Sequence, residues 1–177
     1  MNIDPAKIII YYSIWQPIYT EFKDIADFKK GLPSIDDIEN LESYSEIGGS
    51  LVIIDDQALS INKDIATIFT VTARHTHVSL IFLTQNFFSK QPYFRDISLQ
   101  STYIVLFKNP RDKSMIKYLA HQISPGNMNY VTMAYNHALQ DPYSYLLIDL
   151  DQKTNDSTRL RTNIFPHEHP IIVYTPK

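Results

Sequence analysis

No cysteine occurs in this chain of 177 residues, which excludes a disulfide framework and any thiolate metal site. Glycine is nearly as scarce, with only Gly31, Gly48, Gly49 and Gly126, a shortage that bears on any loop that must wrap a phosphate. Every apolar run falls well short of the roughly 20 residues that cross a bilayer, and the N-terminus carries no signal-peptide pattern. The chain is therefore expected to be soluble and intracellular, with no membrane segment. Excess positive charge is missing too. The net charge of −3 argues against a uniformly basic nucleic-acid coat and leaves local basic patches open. There is no G-x-S-x-G elbow and no Cys/His pair, so nucleophilic hydrolase chemistry has no support. Internal repeats and low-complexity linkers are absent. What remains, 44% hydrophobic and 20% charged, suffices for one sizeable core, and residues 1–177 are expected to form a single domain.

The most informative stretch is Leu51-Val52-Ile53-Ile54-Asp55-Asp56. Four β-rich apolar residues run into two adjacent carboxylates, the pattern of a strand buried on both faces of a parallel sheet covered by helices. Ligands of such sheets gather at the carboxyl ends of the strands, which puts Asp55 and Asp56 where chemistry is done. There the first carboxylate can hold Mg²⁺ or its water, and the second can polarise an attacking water. On the plainer alternative, Asp56 only caps the next helix.

Around that strand the chain alternates strands and helices. Lys7-Ile8-Ile9-Ile10-Tyr11-Tyr12 predicts a first buried strand. Pro17 suits the first turn of a helix, and Trp15, Ile18, Tyr19, Phe22, Ile25 and Ala26 recur at helical spacing, with Trp15 expected in the core and ligand contact by Trp15-Gln16 at the strand-to-helix turn as the alternative. Gly31-Leu32-Pro33 ends that helix, and Ser34 to Asp37 resembles a capping box for a short helix carrying Ile38 and Leu41. After the acids, Ile61, Ile65, Ile68 and Phe69 mark a second amphipathic helix that runs out into Arg74-His75-Thr76-His77. Val78 to Asn86 predicts another buried strand, ending in Thr84-Gln85-Asn86. Amides at a strand tip offer donor and acceptor together, which suits orienting a water or sensing a phosphate; as an alternative they only cap the loop. Thr102 to Phe107 is a further strand. Asn109-Pro110 opens a helix with Met115, Ile116, Leu119, Ala120 and Ile123 inward, and Tyr130, Val131, Ala134 and Ala138 mark one more. Tyr145 to Leu150 and Arg159 to Phe165 form a hairpin across a polar turn.

The order strand, helix, Asp-Asp strand, helix, amide-tipped strand, strand, helix resembles the back half of a RecA-like NTPase. The combination of Leu51 to Asp56, then Arg74-His75, then Leu80 to Asn86 resembles the FtsK/HerA superfamily. Within it, Tyr11 to Pro17, Tyr103 to Lys113 and Arg161 to Pro166 are similar to the DNA-packaging ATPases of poxviruses, adintoviruses and Polinton-type (Maverick) elements. The resemblance runs from about Lys7 to Pro166. It implies an α/β fold of the RecA-like P-loop NTPase (ASCE) type: a mostly parallel sheet, helices on both faces and a C-terminal β-hairpin. It further implies ATP-driven translocation of double-stranded DNA into a capsid by a homo-oligomeric ring, with ATP and Mg²⁺ as cofactors and capsid portal or vertex proteins as partners. The setting implied is a virus-infected cell, nucleus or cytoplasm, or the virion.

Residue by residue, the resemblance matches Asp55 to the magnesium-associated Walker B aspartate and Asp56 to the acid that activates water against the γ-phosphate. Gln85, with Thr84 and Asn86 beside it, matches the polar sensor. Arg74 lies where related motors carry an arginine before the sensor strand, a candidate finger toward a neighbouring subunit's nucleotide, worth about 10³-fold or more in rate. Arg111 matches the arginine after the following strand. A plain surface role is the alternative for both. The departure from the family is large: nothing fits G-x-x-x-x-G-K-[ST], since Gly48-Gly49 precedes the Asp-Asp strand with no lysine after it. The first strand and its phosphate loop are therefore expected to be missing, leaving a partial domain unable to hydrolyse ATP alone, its sheet open where that strand would pair. The alternatives are a non-catalytic remnant or interaction module of such an ATPase and, third, a Mg²⁺-dependent nuclease with Asp149 or Asp151 as an added carboxylate.

Two weaker constellations complete the sequence. His75/His77 and His167/His169 are spaced for chelation but lack an identifiable third ligand. Lys153, Arg159 and Arg161 can touch DNA phosphates, or else form a solvated strand face.

Overall fold

The computed structural model describes residues 4–87, 93–112, 114–168 and 170–176, and the chain falls into two units, Met1–Gln100 and Ser101–Lys177. Lys113 and His169 lie outside the described residues. The fold is α/β, with an all-parallel sheet in the first unit and an antiparallel one in the second.

In the first unit the apolar runs become β1 (Lys7–Tyr12), β3 (Ser50–Asp55) and β4 (Val78–Leu83), joined by β2 (Asp27–Lys30) in the order β2-β1-β3-β4. Register pairs Ile9 with Val52 and Val52 with Leu80, and likewise Tyr12 with Asp55 and Asp55 with Leu83. Since side chains alternate along a strand, Ile9, Tyr11, Val52, Ile54, Leu80 and Phe82 share one face. Ile10, Tyr12, Ile53, Asp55, Ile81 and Leu83 share the other. The first face meets Ile38 of α1 (Ile35–Glu39), Ile65 of α2 (Lys63–Thr67), Ile68 and Ala73 beyond it, and Phe94 and Ile97 of α4 (Phe94–Gln100) in one core. Phe82 sits edge-on between Phe69 and Phe94. The expectation that the Asp-Asp strand is buried on both faces holds for one only: Val52 and Ile54 are fully buried, whereas Leu51 and Ile53 are half-buried.

Local signals account for the helices. Ser34 accepts from the Asp37 N–H while Asp37 reaches back to the Ser34 N–H, the anticipated capping box. Asn62 caps α2 through its side-chain oxygen on Ile65 N–H, 3.0 Å. The helix then widens into a π-helical turn over Ile68–Thr72 before α3 (Ala73–His75). Thr67 and Thr70 bond back to the carbonyls of Lys63 and Ala66 there, contacts that compete with the helical ladder and bend it. Gly48 and Gly49 have φ of 125° and 74° and carry the chain into the N-terminal end of β3. A Cβ on Gly49 would meet the His77 carbonyl at 3.2 Å.

The helix expected over Pro17 to Ala26 is not formed. Pro17–Phe22 makes a 3₁₀ turn, and the chain then pairs with β1 as β2. Helical spacing was satisfied by residues that mostly face outward: Trp15, Ile18, Phe22 and Ile25 are exposed, and only Tyr19 and Ala26 turn in. Trp15, expected in the core, is 41% exposed. Strand pairing here overrides local helical preference.

The second unit holds β5 (Tyr103–Phe107), α5 (Met115–Ile123), α6 (Met128–Ala138), β6 (Tyr145–Asp149), β7 (Leu160–Thr162) and β8 (Ile172–Tyr174). Its strands run in the order β5-β6-β7-β8, each pair antiparallel. The predicted hairpin is β6–β7. Strand β5 was expected within one mostly parallel sheet and instead pairs with β6 in the antiparallel one. Strand β8 is tied down by Tyr130, whose hydroxyl donates to the Tyr174 carbonyl at 2.7 Å, and by His137 against the Tyr174 hydroxyl at 2.8 Å.

Candidate functional site

Parallel pairing brings the C-terminal tips of β1, β3 and β4 to one edge of the first sheet. Tyr12, Asp55 and Leu83 are direct register partners, so Asp55, Asp56 and Thr84-Gln85-Asn86 emerge side by side, with β3 between its two neighbours. This is the edge at which open parallel sheets bind ligands.

Asp55 is half-buried, and the Tyr19 hydroxyl donates to its Oδ2. Burial first, then the bond to Asp55, push the Tyr19 hydroxyl above the ordinary tyrosine range, so it stays protonated and donating through neutral pH. The Tyr19 ring is held by Tyr12, Trp15 and Phe28, with centroids at 5.7, 5.4 and 5.5 Å. Lys23 lies over the Trp15 ring at 5.3 Å. Gln57 is 4% exposed and donates to the Gly31 carbonyl at 3.0 Å, tying the end of β3 to the end of β2.

Asp56 is exposed and its φ is +51°. That left-handed conformation is uncommon for a residue with a Cβ, although Asp tolerates it better than most. The Asp56 N–H donates to the Leu83 carbonyl at 3.3 Å, extending the β3–β4 ladder by one step, so the turn is fixed by the sheet. Asp56 therefore does not cap the following helix, whose cap is Asn62. On β4's side, Thr84 and Asn86 close a small turn on themselves: the Asn86 N–H donates to Thr84 Oγ1 at 3.2 Å, and Thr84 Oγ1 to the Asn86 carbonyl at 3.3 Å. Gln85, between them, is exposed.

The two arginines stand differently. Arg74 ends the helical stretch that returns the chain to the start of β4, so it lies at the opposite end of the strands from Asp55. It donates to Gln100 Oε1 at 3.0 Å. It is not brought to the acids of its own unit. Arg111 is exposed in the second unit, after β5, its N–H bonded to Asn109 Oδ1 at 3.0 Å.

The carboxylates suggested as a third nuclease ligand serve the β6–β7 turn. Asp149 is 4% exposed and accepts from Arg161 at 2.5 Å, Thr154 at 3.0 Å and the Asp151 N–H at 3.0 Å. Arg159 bonds the carbonyls of Asp149 and Asp151 and the Asp156 carboxylate. Both guanidiniums are committed within the turn, and the Lys153 side chain is exposed. A cavity of about 150 Å³ lined by Tyr130, Asp156, Arg159 and others has its two charges paired with each other. Of the histidines, His75 and His77 are exposed and His167 stacks on Phe165.

Among the described residues no group of three or more His, Asp or Glu is arranged to hold a metal ion. The acid tip of β3 therefore does not fit a cation cage made by protein alone. It fits Mg²⁺ as phosphate-handling sites hold it, through one or two carboxylates with phosphate oxygens and water completing the shell. Asp55 would hold the ion, with Asp56 beside it.

The structure brings the acids beside the polar tip of β4, and adds Tyr19, which the sequence did not mark as a candidate. The available signal was Tyr11-Tyr12 ending the neighbouring strand with Trp15 and Tyr19 close behind, an aromatic run at the same tips.

The sheets and helices define a class, an α/β protein, and its candidate site lies at the acid-tipped inner strand. Comparison of the chain with models of protein families, with curated proteins and with solved structures returned no match. Among the described residues, no helix is long and apolar enough to cross a membrane.

Proposed function

We propose that the chain is a nucleotide-hydrolysing domain of the RecA-like, FtsK/HerA type, belonging to a viral or transposon-derived motor that drives double-stranded DNA into a capsid. The observation that carries this is the Asp55–Asp56 pair at the carboxyl tip of an inner strand in an all-parallel sheet, next to the Thr84-Gln85-Asn86 tip. Asp55 would hold the Mg²⁺ that accompanies ATP, and that ion supplies neutralisation of phosphate charge. Asp56, exposed and held by the backbone bond to Leu83, would be the acid that takes a proton from water. Gln85 would orient that water or read the γ-phosphate, with Thr84 and Asn86 shaping its turn.

The phosphate cradle has no counterpart in the sequence, and the outer edge of β4 bears on that. Leu83 accepts from Asp56 on the β3 side, so alternation turns the backbone groups of Leu80 and Phe82 toward the free edge. A further strand carrying a phosphate loop would pair there. Arg74, remote from its own acids, would serve a neighbouring subunit in a ring. Capsid portal or vertex proteins would be the ring's partners, in an infected cell or on the virion.

The absence of G-x-x-x-x-G-K-[ST] favours one second reading, a non-catalytic interaction module derived from such an ATPase. The experiment that separates them is Mg²⁺–ATP turnover by the protein alone and with a separately supplied segment bearing that motif. The motor domain expects turnover at least in the second arm, and Asp56→Asn should lower it about 10²–10⁴-fold, the usual contribution of a general base. No turnover in either arm leaves the interaction module.

A further inference from the structure

Segment 14–25 presents its large apolar residues to solvent, with one exception. Ile14, Trp15, Ile18, Phe22 and Ile25 are all at least 40% exposed, while Tyr19 in their midst is 6% exposed. A hydroxyl is turned inward where aliphatic side chains were available. Its ring is fixed from three sides: by Tyr12 at the end of β1, by Phe28 of β2, and by Trp15 from its own turn. The start of that turn is set by Pro17 at its first position and closed by the Tyr19 N–H on the Gln16 carbonyl at 3.1 Å. Two strands and a proline-initiated turn thus determine where one oxygen sits, and it meets Asp55 Oδ2. Among the described residues Asp55 has no other hydrogen-bond donor, so Oδ1 is left without one.

We propose that Tyr19 is a positioning residue for cation binding: by holding Asp55 Oδ2, it presents Oδ1 as a preoriented single-oxygen ligand for a divalent cation at the β3 tip. This rests on the reading of Asp55 as the cation-holding acid. A carboxylate on a strand tip otherwise rotates about its own side-chain bonds, and its ordering must be supplied when the ion binds. Carboxylates that ligate metals are themselves hydrogen-bonded, and losing the outer partner typically costs 10–100-fold in affinity. Tyr19 differs from a hydroxyl that only fills a core, because its one acceptor is the acid at the ligand edge. It also differs from a lock: a hydroxyl competing with the ion would make the cation bind more tightly when removed.

The sign of that change is the test, and the molecule carries its own reporter. Trp15 is the only tryptophan and its ring centroid lies 5.4 Å from that of Tyr19. Mn²⁺ is titrated into the protein in the presence of ADP, whose phosphate oxygens complete the ion's shell, with binding followed by broadening of the paramagnetic resonance signal and by quenching of Trp15 emission. Urea midpoints check that each variant is folded. The expected result is saturable quenching in the wild type that Asp55→Asn removes, and about 10–100-fold weaker Mn²⁺ affinity in Tyr19→Phe, which keeps the ring packing. Unchanged or tighter affinity in Tyr19→Phe overturns the positioning role while leaving Asp55 as a cation ligand. A wild type that binds no Mn²⁺, or whose Mn²⁺ binding is indifferent to Asp55→Asn, removes the cation role of Asp55, and this proposal with it.

Discussion

Asp56 illustrates a cost retained at a single residue. Its φ of +51° places a side chain in the left-handed region, where most residues with a Cβ lose about 1–2 kcal/mol and Asp or Asn lose less. The backbone bond to Leu83 keeps it there. Asp56→Ala is therefore expected to lower unfolding free energy by about 1 kcal/mol, whereas Asp56→Asn leaves it nearly unchanged, as urea denaturation of both would show. Equal stabilities would mean that the turn relaxes when the side chain changes. The comparison also selects Asn as the variant for turnover experiments, since a loss of activity in Asp56→Ala mixes chemistry with strain. The acids were legible in the sequence because a carboxylate pair ending an apolar run is rare and local. Tyr19 was not, because its partner Asp55 lies 36 positions away and nothing in its own neighbourhood marks it off from the exposed apolar residues around it.

At the scale of elements, strands announced by long apolar runs were readable and the short charged one was not. Asp27-Phe28-Lys29-Lys30 holds one apolar residue among four; it is a strand because β1 offers it a ladder, which no local pattern encodes. It is also where a measurable pH dependence arises. Lys29 of β2 meets Asp37 of α1 at 2.7 Å. Burial pushes the Asp37 carboxyl up, but the Lys29 ammonium and the N–H and hydroxyl of Ser34 outweigh it and hold it at about 2. A carboxyl whose folded value lies below its unfolded value, about 3.9, stabilises the fold above the unfolded value. That stabilisation fades as pH falls toward 2. With the pair partly in solvent, the contribution is about 1 kcal/mol. Asp37→Asn is expected to be less stable than the wild type by that amount at neutral pH, with the two denaturation curves converging between about pH 4 and pH 2. A gap that persists at the acid end would assign the loss to the capping box rather than to the charge.

At the scale of the whole molecule, the edges of the sheets differ in kind. β2 carries two lysines and an aspartate along its four residues, and β8 has only three residues; charge and brevity are the usual protections of an open edge. β4 and β5 have neither. Val78 to Leu83 and Tyr103 to Phe107 are free of charge and proline, with Ile81 and Leu83 exposed by 41% and 45% and Tyr103, Val105 and Phe107 exposed as well. Parallel sheets are ordinarily covered on both faces, and among the described residues the face bearing Asp55 exposes Ile81 and Leu83 on the β4 side. That two sheets would form, with β5 in the antiparallel one, could not be read from the sequence, because strand periodicity fixes which residues share a face and says nothing of which strands are neighbours. An edge without charge or proline beside exposed Ile81 and Leu83 should make the isolated protein associate with itself as concentration rises. Ile81→Lys puts on β4 the kind of charge that β2 already carries, and it should shift sedimentation velocity profiles toward monomer. Leu99→Lys, at an exposed position on α4, should leave them unchanged. Equal effects of both substitutions would trace the association to general surface charge, and a wild type that stays monomeric at every concentration would mean that the β4 edge is protected by something other than charge.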